Sequence, residues 1–274
     1  MSSAPLHSAV LFRRDPDLPD LEAREACYRR EAFRPHTHEA VSVGLLRAGS
    51  TRFLLRGRAR AARAGQIVVI PARAPHACNP DPGAGLDYRM FYLAPALLAG
   101  AADAACGLPA FPPVLDDPEL FAAWDGLYAA MAGGAPREEK QAKLAACLRG
   151  LLLRRIRPET PGAVNPAVER ALRRIAASHG VFVPLDELAA AAGLSRCHFL
   201  RVFTAAMGLP PHRYQMQRAV ERAKALLAGG APISQAALEA GFADQSHFSR
   251  RFREFTGATP GQYADAPPRG PAQQ

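Results

Sequence analysis

Gly193-Leu-Ser-Arg-Cys-His-Phe-Leu-Arg-Val-Phe-Thr-Ala-Ala-Met-Gly208 reads as the turn and second helix of a helix-turn-helix. Gly193 suits the sharp turn, Ser195 stands where a helix is capped, and Phe199, Val202 and Phe203 form one apolar face at helical spacing. A relative of the stretch returns 49 residues later, at His247-Phe-Ser-Arg-Arg-Phe-Arg-Glu-Phe-Thr-Gly257. His198, Phe199, Arg201, Phe203, Gly208, Pro211 and Tyr214 recur as His247, Phe248, Arg250, Phe252, Gly257, Pro260 and Tyr263. Identities held at one fixed offset indicate two similar helical units in tandem.

Each unit divides into a buried and an open face. In the first, the stripe opposite the phenylalanines is Cys197, Leu200, Arg201 and Thr204, with Arg196 beside it. In the second, Asp244 caps a helix over Gln245 to Thr256. Phe248, Phe252 and Phe255 face inward there, and Gln245, Ser246, Ser249, Arg250 and Arg253 face outward. His247, between Ser246 and the inward Phe248, is counted with the outer face. Arg201 and Arg250 are the best candidates for base contacts, because a guanidinium can bond guanine O6 and N7 together; Gln245 suits adenine. Arg196, Arg251 and Arg253 are assigned to phosphates. A helix from Pro211 to about Ala228 separates the units. Its 18 residues span roughly 27 Å at ~1.5 Å each, near the ~34 Å between successive major grooves.

Outward from this pair, Arg157 to Pro166 has three prolines, a glycine and no apolar periodicity, and is read as a linker. Upstream, Pro118–Met131 and Lys143–Ile156 each carry an apolar stripe and predict two antiparallel helices. From Arg34 to Leu93, short alternating runs separated by Gly and Pro predict a β-barrel or sandwich. Residues 1–30 show little pattern and are read as an extended lead-in. Within the β region, His36-Thr-His38 places two imidazoles on one side of an extended chain, and Pro75-His76 supplies a third histidine. Three neutral imidazoles suit a divalent metal, a small-molecule pocket, or hydrogen-bonded barrel positions. The pocket is the favoured reading, so neither metal nor cofactor is assigned.

The 274 residues allow about two domains, and the net charge of +9 favours a polyanionic partner. Residues 165–274 carry +5 of that charge, so it is not confined to one part. The five scattered cysteines have no paired spacing, which argues against a disulfide framework or cysteine zinc site and favours a reducing compartment. No apolar run reaches the ~18–20 residues of a membrane span, and a cytoplasmic location is expected.

Two resemblances follow from these motifs. The landmarks His36-x-His38 and Gly65-x5-Pro71-x3-Pro75-His76-x2-Asn79 resemble the cupin barrel, and more closely the sensor domain of arabinose-type regulators. Metal-binding cupins have a glutamate about four residues after the paired histidines, where this chain has Ser42 and Val43. The segment 166–264, ending in Gly241-Phe-x2-Gln-Ser-His-Phe-Ser-Arg-x-Phe-x4-Gly257-x2-Pro260-x2-Tyr263, resembles the DNA-binding domain of AraC/XylS-type bacterial regulators. Ala236 and Leu200 depart from that pattern, one smaller and one less polar than usual.

The resemblance implies a multi-domain α+β chain: a cupin-like effector-binding and dimerisation domain over 1–156, a linker over 157–166, a tandem helix-turn-helix domain over 167–264 and a tail over 265–274. It implies an effector site at His36, His38 and His76, with Arg47, Tyr88 and Met90 at positions that touch effector in such regulators. The expected function is sequence-specific transcription regulation without catalysis, with promoter DNA, a small-molecule effector and a second copy of the chain as partners and RNA polymerase as a further candidate. The alternative is a metal-dependent cupin enzyme fused to a DNA-binding module.

Overall fold

The computed structural model describes residues 10–28, 35–55, 58–101, 109–156, 165–178 and 180–266. Residues 157–164 of the expected linker and 267–274 of the expected tail therefore lie outside the described residues.

Among the described residues, eight antiparallel strands build the N-terminal part. They are β1 Val10–Arg14, β2 Leu21–Tyr28, β3 Val41–Leu55, β4 Arg58–Arg63, β5 Ile67–Ile70, β6 His76–Pro80, β7 Leu86–Leu93 and β8 Val114–Leu115. The path runs β1-β2-β7-β3-β5-β8, while β4 and β6 pair with the far half of β3. The long β3 thus belongs to both sides of the barrel. A register shift between Leu46 and Ala48 marks where it passes from one set of partners to the other. The lead-in expected over 1–30 is corrected by β1 and β2, whose alternation is obscured by the buried charged residues Arg14, Glu22 and Arg24.

Side chains alternate across these strands and serve two cores. Val43, Leu45, Ile67, Val69, Phe91 and Leu93 point to α1 (Pro118–Gly133) and α2 (Arg137–Leu153), where Trp124, Leu127, Tyr128, Cys147 and Leu151 cover them. Leu46, Phe53, Val68, Ile70 and Tyr88 point to the barrel interior. The run Ile67-Val-Val-Ile70 is apolar throughout because both of its faces are buried. Helices α1 and α2 therefore pack on their own barrel.

Among the described residues seven helices follow: α3 Pro166–Ala176, α4 Leu185–Ala192, α5 Arg196–Met207, α6 Pro211–Ala228, α7 Ile233–Glu239, α8 Gln245–Thr256 and α9 Pro260–Ala264. Asp244 caps α8 by accepting from His247 N at 2.7 Å, as expected; Ser195 holds the equivalent place on α5 without a side-chain capping bond. Phe199 and Phe203 fill the first unit with Leu188, Ala189 and Tyr214. Phe248 and Phe252 fill the second with Phe242, Tyr263 and the fully buried Ala236. That second core also takes Phe12 from β1, whose ring meets Tyr263 edge-on at 4.9 Å.

A carboxylate ties α8 to α6. Glu254 accepts from Arg213 and from Arg251, each at 2.7 Å. Burial by itself would raise its pKa, but the two guanidiniums outweigh burial and hold it below the usual carboxylate range. The stability that this tie contributes is therefore complete above the unfolded glutamate pKa and is lost as pH falls through the lower folded value. Unfolding measured against pH should show a constant deficit for Glu254→Gln above that range, shrinking below it. A deficit independent of pH would remove the carboxylate from the account.

Candidate functional site: a histidine-lined cavity beneath two exposed helix faces

The exposed faces carry what the sequence placed on them. Arg196, Cys197, Leu200 and Arg201 are exposed on α5, with Thr204 half-buried beside them. On α8, Gln245, Ser246, Arg250 and Arg253 are exposed and Ser249 is half-buried. Among the described residues no hydrogen bond or ion pair holds Arg201, Arg250 or Arg253, which leaves their guanidiniums available to an external acceptor. Arg196 instead pairs with exposed Asp186 at 2.9 Å. His247 departs from the expected face: it is half-buried, stacks edge-on with Phe242 and receives a bond from Arg251 Nε at 3.3 Å.

The three histidines do come together. His36 and His76 exchange backbone hydrogen bonds, both 2.9 Å, which joins the two motifs at one point of the barrel. Ring centroids lie 4.3 Å (His36–His76), 4.9 Å (His36–His38) and 5.1 Å (His38–His76) apart, and one nitrogen from each ring lies within 4.8 Å of the others. His76 Nδ1 donates to the Ala74 carbonyl at 2.9 Å, so its Nε2 carries the lone pair. Burial holds His76 down at about 4, and burial with the nearby charges of Lys224 and Arg24 holds His38 well below the usual histidine range. Both rings are neutral at physiological pH.

Tyr88 and Met90, the positions named by the resemblance to arabinose-type sensors, line the same cavity from alternate places on β7. Tyr92 continues that alternation and was legible from it. Arg47 does not reach the cavity: at the register shift of β3 it turns outward and meets Glu25 at 2.5 Å. Arg24 is a wall that the sequence did not reveal, since its strand was not recognised. It is buried, donates to Tyr28 Oη and lies over the Tyr28 and Tyr88 rings at 5.6 and 5.9 Å. Phe255 is a second missed wall, and it comes from α8 of the helical part.

The cavity therefore lies against the helical half of the chain. Gln217, Glu221 and Lys224 recur at four- and three-residue steps along one face of α6. The Gln217 amide accepts from Thr37 N at 2.9 Å and donates to Thr37 Oγ1 at 2.6 Å, clamping the residue between His36 and His38. Glu221 Oε1 lies 3.7 Å from His38 Nδ1. Lys224 lies 3.4 Å from the buried Glu22, which accepts from Tyr263 Oη at 2.6 Å. Two glycines at equivalent places in the tandem units complete the contact. Gly208 closes α5 at φ 67° and Gly257 closes α8 at φ 75°, a left-handed conformation that tolerates no side chain easily. A Cβ on Gly208 would run into Pro75, and one on Gly257 would come 2.6 Å from Tyr28 Oη and 2.7 Å from Arg24 Nη2.

The cavity holds about 40 Å³, room for an ion with a water or two but far below the ~300–1,000 Å³ of a typical ligand pocket. A wider cleft of about 450 Å³ lies between Glu39 and Arg73 of the barrel and helices α3 and α6. Its charges largely answer one another, Glu39 meeting Arg73 at 2.8 Å and Arg218 at 3.9 Å. The smaller cavity has the stronger claim, because His38 Nδ1 and Arg24 Nε are buried there without hydrogen-bond partners.

Comparison with known proteins agrees with this arrangement. Residues 18–152 match the family described as AraC-like ligand binding domain, and residues 188–266 match a helix-turn-helix domain. The chain joins an AraC-like ligand-binding domain to an AraC-type helix-turn-helix domain, and its relatives are transcriptional regulators. YbfI of Bacillus subtilis (strain 168), an uncharacterised helix-turn-helix-type transcriptional regulator, is 29% identical over 229 residues, covering 79% of this chain and 82% of its own. The probable transcriptional regulator LumQ of Photobacterium leiognathi is 37% identical over 82 residues, 30% of this chain and 33% of LumQ. ToxT from Vibrio cholerae O395 shares the two-part fold at 10% identity, with a TM-score of 0.54 over 94% of this chain and 96% of that chain. Among the described residues no helix of the regulator is long and apolar enough to cross a membrane.

Proposed function

We propose that the regulator reads promoter DNA with the exposed faces of α5 and α8 and that an effector bound in the barrel cavity controls this reading. The observation that carries it is the wall shared by the two sites. Phe255 lines the cavity, and Arg250 lies five residues earlier on the same helix, roughly 7.5 Å along its axis at ~1.5 Å per residue. A change in cavity occupancy that moves Phe255 moves the reading face with it. The sensor unit is residues 1–156, the connector 157–166, the reading unit 167–264 and the tail 265–274. The working form is a homodimer, for which the exposed Leu153 and Ile156 at the end of α2 offer apolar surface. We assign no catalytic residue.

Binding to the DNA upstream of its own gene tests this reading. Arg201→Ala and Arg250→Ala should each weaken specific binding by ~1–3 kcal/mol, a ~5–150-fold loss, and relax preference at the contacted base. Arg253→Ala should weaken all sequences alike and lower the salt dependence. Unchanged affinity and preference in both arginine variants on the reading faces would sink the assignment.

A further inference from the structure

We propose that the effector is a divalent transition-metal ion held by His36, His38 and His76, and that α6 senses the ion through Glu221 and Gln217. The proposal deepens the effector-site reading above and rests on it. Four observations support it. The ligand atoms of the three rings already lie within 4.8 Å of one another, close enough for one ion to bind all three after small rotations. The Ala74 carbonyl fixes the tautomer of His76 and leaves Nε2 to coordinate, the kind of outer hydrogen bond that orients metal-binding imidazoles. The Nδ1 of His38 is buried without a hydrogen-bond partner, a cost that folding leaves uncompensated unless something else meets that ring. The cavity volume suits an ion better than an organic molecule.

The carboxylate lacking at positions 42 and 43 has a counterpart from elsewhere in the chain. Glu221 Oε1 approaches His38 Nδ1 to 3.7 Å from the helix that spaces the two DNA-reading units. Binding of a cation at the imidazoles makes His38 a stronger hydrogen-bond donor or draws the carboxylate inward, and either response pulls on α6. Thr37, between the two ligands, already transmits its position to Gln217. The charges of Lys224 and Arg24 act on His38 and Glu221 approaches it, while Glu22 and Glu221 both meet Lys224. Because Glu22 and Glu221 offset these cations, binding rests on the imidazole nitrogens. An all-imidazole set favours zinc, cobalt, nickel or copper over magnesium or calcium.

The test uses the full chain, stripped with chelator and titrated with Zn²⁺ by calorimetry and with Co²⁺ by visible absorption. One ion per chain is expected, with ~10–100-fold weaker binding for Glu221→Gln and loss of the cobalt spectrum for His36→Gln and His38→Gln. His36 is half-buried, so its variant remains informative if a change at the buried His76 disturbs folding. Promoter affinity should change with Zn²⁺ in the wild type. Saturating Zn²⁺ should leave promoter affinity unchanged in Glu221→Gln. Absence of a bound ion at micromolar concentration overturns the proposal, as does binding that survives the histidine changes. A parallel thermal-shift and DNA-binding arm with organic metabolites separates the two failures. A metabolite response abolished by Met90→Trp, without any metal response, defeats the metal and keeps the effector site; no response to either defeats both.

Discussion

Phe252→Ala is expected to lower stability by about 3–5 kcal/mol, the range for removing a fully buried phenylalanine from a packed core. The ring lies 5.4 Å from Phe248 and 5.5 Å from Tyr263, centroid to centroid, and its cluster includes Phe12 from the barrel. The loss should therefore spread beyond the second reading unit. Hydrogen exchange should quicken in β1 as well as in α8 and α9. Phe203→Ala removes the equivalent ring from the first unit, beside Phe199 and Tyr214, in a core without any barrel residue among its members. It should cost a similar amount while leaving β1 protected. Equal exchange in β1 for the two variants would mean that Phe12 does not couple the barrel to the second unit. A stability loss below about 1 kcal/mol for Phe252→Ala would contradict the packing itself.

Glu22→Gln is expected to cost about 3 kcal/mol, at the lower end of the range for breaking a buried ion pair. Glu22 is 1% exposed and faces Lys224 at 3.4 Å across the junction between barrel and helices. Burial alone would lower the Lys224 pKa, but Glu22 and Glu221 outweigh it and raise the value, so the ammonium stays charged. Removing one carboxylate leaves that charge with Glu221 alone, at 3.5 Å. The further change Lys224→Met should restore most of the lost stability, since an apolar chain of similar length needs no counter-ion. Denaturant unfolding of the two single variants and the double variant gives the coupling directly. If the double variant is no more stable than Glu22→Gln, the ion pair does not hold the junction.

How much of this was legible in the sequence depends on where each residue finds its partner. The bounds of α4, α5 and α8 could be read to the residue, because turn glycines, caps and apolar spacing are local and occur twice at a fixed offset. The start of α2 was placed at Lys143 and lies at Arg137. Its first turns are highly charged, and Lys140 is buried only because Asp15 and Asp17 meet it, at 2.7 and 2.6 Å, from the distant N-terminal segment. β1 and β2 were missed for the same reason. Arg14 Nη2 donates to the carbonyls of Tyr263 and Ala266, and Glu22 accepts from Tyr263 Oη, partners some 240 residues away. In the candidate site, His36 and His38 followed from period-two alternation and His76 from its motif at a strand end, while Tyr88 and Met90 followed from the resemblance to arabinose-type sensors alone. Arg47 was misplaced because a register shift, invisible in the sequence, turns it outward. Phe255 read only as core of the second unit, and nothing local shows that this core also closes a cavity in the other half of the chain.

Phe12 has a consequence for anyone who wishes to work with the DNA-reading half by itself. A fragment starting near Asn165 would omit the ring that fills the space beside Tyr263, together with the Glu22 carboxylate that Tyr263 and Lys224 both approach. Such a fragment would expose an oily dent next to an ammonium left with Glu221 alone, on the unit with the stronger DNA signature. Poor solubility of the excised half would then reflect a missing piece of its own core, and a soluble version would need its surface redesigned around Lys224 and Tyr263.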